Sequence, residues 1–211
     1  MKKILLISLV SFSAFSQTSN IFEPIDVFDL EYVSNTQISS NGDKILYQRN
    51  FNDIMTDESF SNIWLIDYDG TNNRPITTGN FKDNSPKWSN KGDKFIFKSN
   101  REGKSQIFLF DLTNNSIQKL TNFQYSIEST QWSPDDNYIL FSSFIDSERD
   151  TLIEMPDKPK GAKWNDPPVE ISDLNYRYDS SGFRKPGEVQ FFTIPINGGT
   201  PRQISNIKPE K

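Results

Sequence analysis

The chain has 211 residues, a hydrophobic fraction of 34%, 28 aromatic side chains (17 Phe, 7 Tyr, 4 Trp) and a net charge of −5. It contains neither Cys nor His, which excludes disulfides, thiolate chemistry, His-ligated zinc and any Ser-His-Asp triad built from this chain alone. Mild acidity without a stripe of Lys and Arg argues against nucleic acid as a partner, and no cofactor or metal site is expected.

Residues 1–16 read as a secretory signal peptide. Lys2 and Lys3 precede the apolar run Ile4–Phe15, and Ala14-Phe15-Ser16 places small residues where signal peptidase reads, so cleavage is expected before Gln17. The run is too short to span a membrane. The mature chain is therefore expected to be secreted or periplasmic, without a membrane span. Residues 17–31 form a lead-in.

From residue 32 the sequence repeats itself. Trp88-Ser89, a turn at Gly92-Asp93 and the apolar run Phe95-Ile96-Phe97 recur 44 residues later as Trp132-Ser133, Asp136-Asn137 and Ile139-Leu140-Phe141. A weaker copy lies 50 residues upstream of the first, with Ile38 in place of the Trp and Gly42 at the turn. Ile63–Asp67 matches Ile107–Asp111, and Ile76-Thr77 matches Leu120-Thr121, both at an offset of 44. A third copy, Phe191–Ile194 with Ile204-Ser205, lies 84 residues beyond the second, which implies an insertion of 40 residues.

Each unit reads as four short strands in about 44 residues, the size of a propeller blade. The turns carry Gly where a positive φ is needed. The strands are nearly continuously apolar, as sheets buried on both faces require. The predicted fold is all-β, a partial β-propeller of about three four-stranded blades. Blade one spans residues 32–79, blade two 80–122, and blade three 123–206 with the insertion at about 145–186. Residues 207–211 read as a truncated linker toward a further blade. Open sheet edges and an apolar flank are expected to make the isolated chain prone to aggregation.

The repeated Trp-Ser-Pro-Asp turn, the Ile-(Phe/Trp)-x-x-Asp strand and the Leu-Thr end resemble the blade of TolB-like propellers and of prolyl-oligopeptidase-type serine peptidases. Within the third blade, Trp164–Pro168, Leu174–Phe183 and Gln190–Pro195 resemble the acylaminoacyl-peptidase and dipeptidyl-peptidase branch, although Ser180 and Ser181 stand where that branch has Gly after the Asp. The resemblance implies a C-terminal α/β-hydrolase domain as the missing partner, carrying a Gly-x-Ser-x-Gly elbow, Asp and His. Neither the Gly-x-Ser-x-Gly elbow nor any His is found in this sequence. It also implies short peptides as substrates of the parent protein, with the propeller gating access. The alternative is a free-standing TolB-like propeller that binds a protein or peptide in the cell envelope.

No catalytic residue is expected here. Tyr176 and Arg177 are the candidate substrate-binding residues, since insertions of this kind can face the catalytic cavity in the family; a role in stabilising the insertion itself competes with that. Asp67–Asn73 superficially resembles a calcium loop but lacks the terminal Glu, and reads better as a hairpin turn. Trp88 and Trp132 read as core because their position repeats.

Overall fold

The structure is a computed structural model and describes residues 21–147, 156–165, 176–179 and 182–208. The segment read as a signal peptide lies outside these residues, as do Ser180 and Ser181. A short 3-10 helix, Pro24–Asp29, precedes the first strand.

Three four-stranded antiparallel sheets follow. The first is formed, in spatial order, by β1 (Tyr32–Ile38), β2 (Lys44–Asp53), β3 (Glu58–Asp67) and β4 (Arg74–Pro75). The second contains β5 (Asn84–Trp88), β6 (Lys94–Ser99), β7 (Gln106–Asp111) and β8 (Ser116–Lys119). In the third, β9 (Ile127–Trp132) and β10 (Tyr138–Asp146) are continued by β13 (Gly187–Pro195) and β14 (Arg202–Gln203). Between β10 and β13 lies a separate hairpin of β11 (Arg177–Tyr178) and β12 (Gly182–Phe183). The chain is thus a partial propeller of three blades.

The apolar runs follow from the stacking. Successive side chains of a strand point to opposite faces, and the middle blade has a neighbour on each. Phe95, Phe97, Phe108 and Phe110 face back onto Leu46, Ile63 and Leu65 of the first blade. Ile96, Ile107 and Leu109 face forward onto Ile139, Phe141, Phe192 and Ile194 of the third. A strand serving two interfaces must be apolar at consecutive positions. Cross-strand rings reinforce each backward face: Phe95 stacks on Phe110 at 4.9 Å, Phe97 on Phe108 at 5.6 Å and Phe141 on Phe192 at 5.4 Å.

The repeated polar residues tie the blades internally and to one another. In the Trp-Ser pair, the serine hydroxyl holds the turn: Ser39, Ser89 and Ser133 Oγ accept from the backbone N–H of Lys44, Lys94 and Tyr138 at 3.0, 3.2 and 2.9 Å. At the end of each unit, Thr77, Thr121 and Ser205 Oγ accept from the N–H of Ile63, Ile107 and Phe191 at 2.9, 2.9 and 2.8 Å. The indoles work between blades. Trp88 Nε1 donates to the Gln37 carbonyl (3.1 Å), and Trp132 Nε1 donates to the Lys87 carbonyl (2.9 Å). Each therefore reaches the residue just before its counterpart in the preceding blade. Ile38, the counterpart in blade one, is 68% exposed.

Candidate functional site

A polar groove begins on β2. Its even-numbered side chains face the second blade; Leu46 belongs to the core, but Gln48, Asn50 and Asn52 continue the same face as amides. They line a groove of about 450 Å3 between the first two blades, closed on the other side by Lys82, Asn84 and Ser85 and bordered by the exposed ring of Tyr32.

A backbone irregularity builds the groove floor. The first strand of each of these two blades carries a bulge, between Ser34 and Gln37 in β1 and between Asn84 and Lys87 in β5. Asn35 (φ 49°) and Ser85 (φ 53°) sit there in the left-handed region, and bulges of this kind re-aim side chains. Both turn toward one acceptor: Gln48 Oε1 receives Asn35 Nδ2 at 2.7 Å and the Ser85 N–H at 3.3 Å. Gln48 Nε2 donates to Asn50 Oδ1 at 2.6 Å, and Asn50 Nδ2 donates to the Tyr32 carbonyl and to Ser34 Oγ at 3.1 and 2.9 Å. Gln48 and Asn50 are buried, which hydrogen-bonded amides tolerate, and these bonds leave one N–H of Gln48 and one lone pair of Asn50 Oδ1 unused.

Amides and hydroxyls dominate the groove. Its lining includes one cation, Lys82, and no carboxylate. The Ser59 and Ser61 hydroxyls donate to Asn52 Oδ1 and to the Asp83 carbonyl, both at 2.8 Å, rather than to a base. Such a site can hold a ligand through hydrogen bonds but offers no activated nucleophile. Close by lies a part-buried ion pair: the Arg101 guanidinium donates to Asp83 Oδ2 at 2.8 Å and sits over the rings of Phe81, Phe97 and Phe108 at 5.4, 5.7 and 5.0 Å. Asp83 is fully buried, and its Oδ1 has no hydrogen-bond partner.

Tyr176 and Arg177 lie elsewhere, on the β11–β12 hairpin of the insertion. Both are exposed. The Tyr176 ring stacks on Phe183 at 6.4 Å, and the Tyr176 carbonyl accepts from the Arg184 N–H at 2.8 Å. Neither residue lines the groove. Because β10 and β13 correspond to β2 and β3, the insertion leaves blade three at the same end of the sheets at which the groove opens. At Asp67–Asn73 the carboxylates are engaged locally. Asp67 accepts from Lys44 Nζ and Asn72 Nδ2, both at 2.6 Å, and its pKa is lowered by those bonds, that to Lys44 foremost. Gly70 (φ 87°) forms the turn. Among the described residues no group of three or more carboxylates is placed to hold a metal.

Two features escaped the reading of the sequence. The amides of β2 follow a period of two, which was the available signal, but of their counterparts in the second blade, Lys98, Asn100 and Glu102, only Asn100 is an amide. Gln106 and Gln190, 84 residues apart, form the second. Gln106 Oε1 accepts from Thr121 Oγ1 and the Phe123 N–H at 2.9 and 2.8 Å, and Gln190 Oε1 accepts from Ser205 Oγ and the Ile207 N–H at 2.7 and 3.0 Å. Each glutamine fastens the segment leading out of its own blade, and their shared offset was the signal.

Comparison with known proteins agrees with this architecture. Residues 53–158 match the TolB beta propeller domain. Among curated proteins, the uncharacterized peptidase YuxL of Bacillus subtilis is 24% identical over 186 residues, covering 88% of this chain and 28% of that protein. Dipeptidyl-peptidase 5 of Porphyromonas gingivalis is 26% identical over 166 residues, covering 79% and 24%. Among solved structures, the acylaminoacyl peptidase of Pyrococcus horikoshii superposes with a TM-score of 0.64 at 18% identity, over 84% of this chain and 25% of that one. The chain belongs to the TolB β-propeller family, and it spans about a quarter of the length of these peptidases.

Proposed function

We propose that this chain is the non-catalytic propeller part of a secreted serine-type peptidase that cleaves short peptides, and that it gates their access to a hydrolase domain carrying the nucleophile. One observation carries the reading: a three-blade wedge without His has peptidases as sequence relatives, yet accounts for only 28% and 24% of their lengths. A triad cannot be completed without a base, so the chemistry of the parent protein belongs to other residues. In this reading Tyr176 and Arg177, exposed on the insertion hairpin, contact substrate, and residues 1–16 direct export.

The test compares two polypeptides. The 211-residue chain should not turn over aminoacyl or dipeptidyl p-nitroanilides. The product of the whole reading frame should, and should lose activity when the Ser of a Gly-x-Ser-x-Gly elbow is changed to Ala. In that protein Tyr176→Ala and Arg177→Ala should raise KM more than they lower kcat. Turnover by the 211-residue chain itself would overturn the proposal. A reading frame that ends after a few more blades would favour the TolB-like envelope-binding module instead. Export is read separately, by N-terminal sequencing of the mature protein, which should begin at Gln17.

A further inference from the structure

We propose that the groove between the first and second blades binds the main chain of an extended peptide. The inference deepens the peptidase reading and takes its choice of ligand from it. The groove presents amides at every second position of one strand, Gln48, Asn50 and Asn52. Alternate residues of an antiparallel strand repeat about every 6.8 Å. An extended peptide laid alongside repeats its like-facing N–H and C=O groups at that same interval, so a side-chain amide ladder and a peptide main chain can stay in step over several residues. A side-chain amide also matches a peptide group chemically, with N–H donors beside a carbonyl acceptor.

The floor is fixed and the rim is available. Gln48 and Asn50 are buried and held by Asn35, Ser85, Tyr32 and Ser34, so the ladder is already organised. Asn52 and Asn84 are half-exposed. Asn52 spends one N–H on the Val27 carbonyl and accepts from Ser59; Asn84 spends one N–H on the Lys82 carbonyl and accepts from Ser85. Each retains a further donor and a further lone pair. The lining has no carboxylate and a single cation, Lys82 at its edge, so most of its polar groups are uncharged amides and hydroxyls suited to an uncharged backbone. A volume of about 450 Å3 lies within the range of small-ligand sites. Recognition through the main chain tolerates varied side chains, as a gate for diverse peptides requires.

The probe is a hexapeptide of alternating Ala and Gly, acetylated and amidated at its ends, followed by 1H–15N spectra of the chain. Saturable shifts are expected in the side-chain amides of Gln48, Asn50, Asn52 and Asn84. Asn52→Ala and Asn84→Ala, both at half-exposed positions, should each weaken binding about threefold to tenfold, the effect of one hydrogen bond. The same peptide N-methylated at alternate residues should bind at least as weakly as to those variants. No saturable shift at millimolar peptide would overturn the proposal. So would equal binding of the N-methylated peptide, or a preference for a neutral oligosaccharide such as maltohexaose at the same amides. A silent groove leaves the peptidase reading intact, because hydrolysis by the full-length protein is measured independently.

Discussion

At the residue scale, the repeated positions differ in how much they do, and substitutions separate them. Trp132→Phe keeps most of the ring but removes the donor that reaches the Lys87 carbonyl across the blade interface. It should cost about 1–2 kcal/mol in chemical denaturation. Gly92 and Gly42 both adopt a positive φ, 74° and 79°, so Ala strains either one. Only at Gly92 would the added Cβ meet a neighbour, lying 2.8 Å from Ser40 Oγ of the first blade, whereas at Gly42 nothing lies within 4 Å. Gly92→Ala should therefore lower the melting temperature more than Gly42→Ala. These positions were legible in the sequence because each repeat needs the same hydrogen bond at the same place. Ser and Thr recur for their donors and acceptors, and Trp for its indole N–H as well as its packing.

At the scale of elements, the second blade carries beside its interface with the first a charge pair that no periodicity reveals. Asp83 precedes β5 and Arg101 follows β6, and folding places them 2.8 Å apart inside an aromatic cage. Arg101→Leu would leave the buried Asp83 without its partner and should cost about 3–5 kcal/mol, with Asp83→Asn in the Arg101→Leu background restoring part of it in a double-mutant cycle. Turn chemistry predicts a pH effect within the third blade. Asp135 accepts from Ser133 Oγ and from the side chain and N–H of Asn137, bonds that hold its pKa down at about 2. A carboxyl whose native pKa lies below its unfolded value stabilises above about pH 4, and that contribution disappears as the pH falls toward 2. A 13C titration should place the Asp135 midpoint near 2, and Asp135→Ala should remove this acid dependence. The strands and turns of each blade were readable because they are local and repeated. The groove was not, since it exists only where bulges from two blades converge on Gln48.

For the whole molecule, the repeat makes the two ends of the stack directly comparable with its middle. Ile107 and Leu120 of the second blade are 0% and 4% exposed because the third blade covers them. Their counterparts in the third blade, Phe191 and Ile204, are 39% and 50% exposed. At the opposite end Val33 and Ile38 are 55% and 68% exposed, on the sheet face that in blades two and three is packed against a predecessor. Open apolar faces at the ends of a stacked array favour self-association. The same substitution should therefore have opposite consequences according to blade. Phe191→Lys with Ile204→Lys changes side chains on a face that no described blade covers, so the pair should reduce concentration-dependent association in sedimentation velocity while lowering the melting temperature far less than a Lys placed in the second blade. Ile107→Lys or Leu120→Lys forces a charge into the interface and forfeits about 1.5–3 kcal/mol of burial even before the desolvation of the ammonium, and should unfold the chain. Equal thermal losses at the two sites would mean that the outer face of the third blade is covered, and the stacking order derived from the repeats would have to be redrawn.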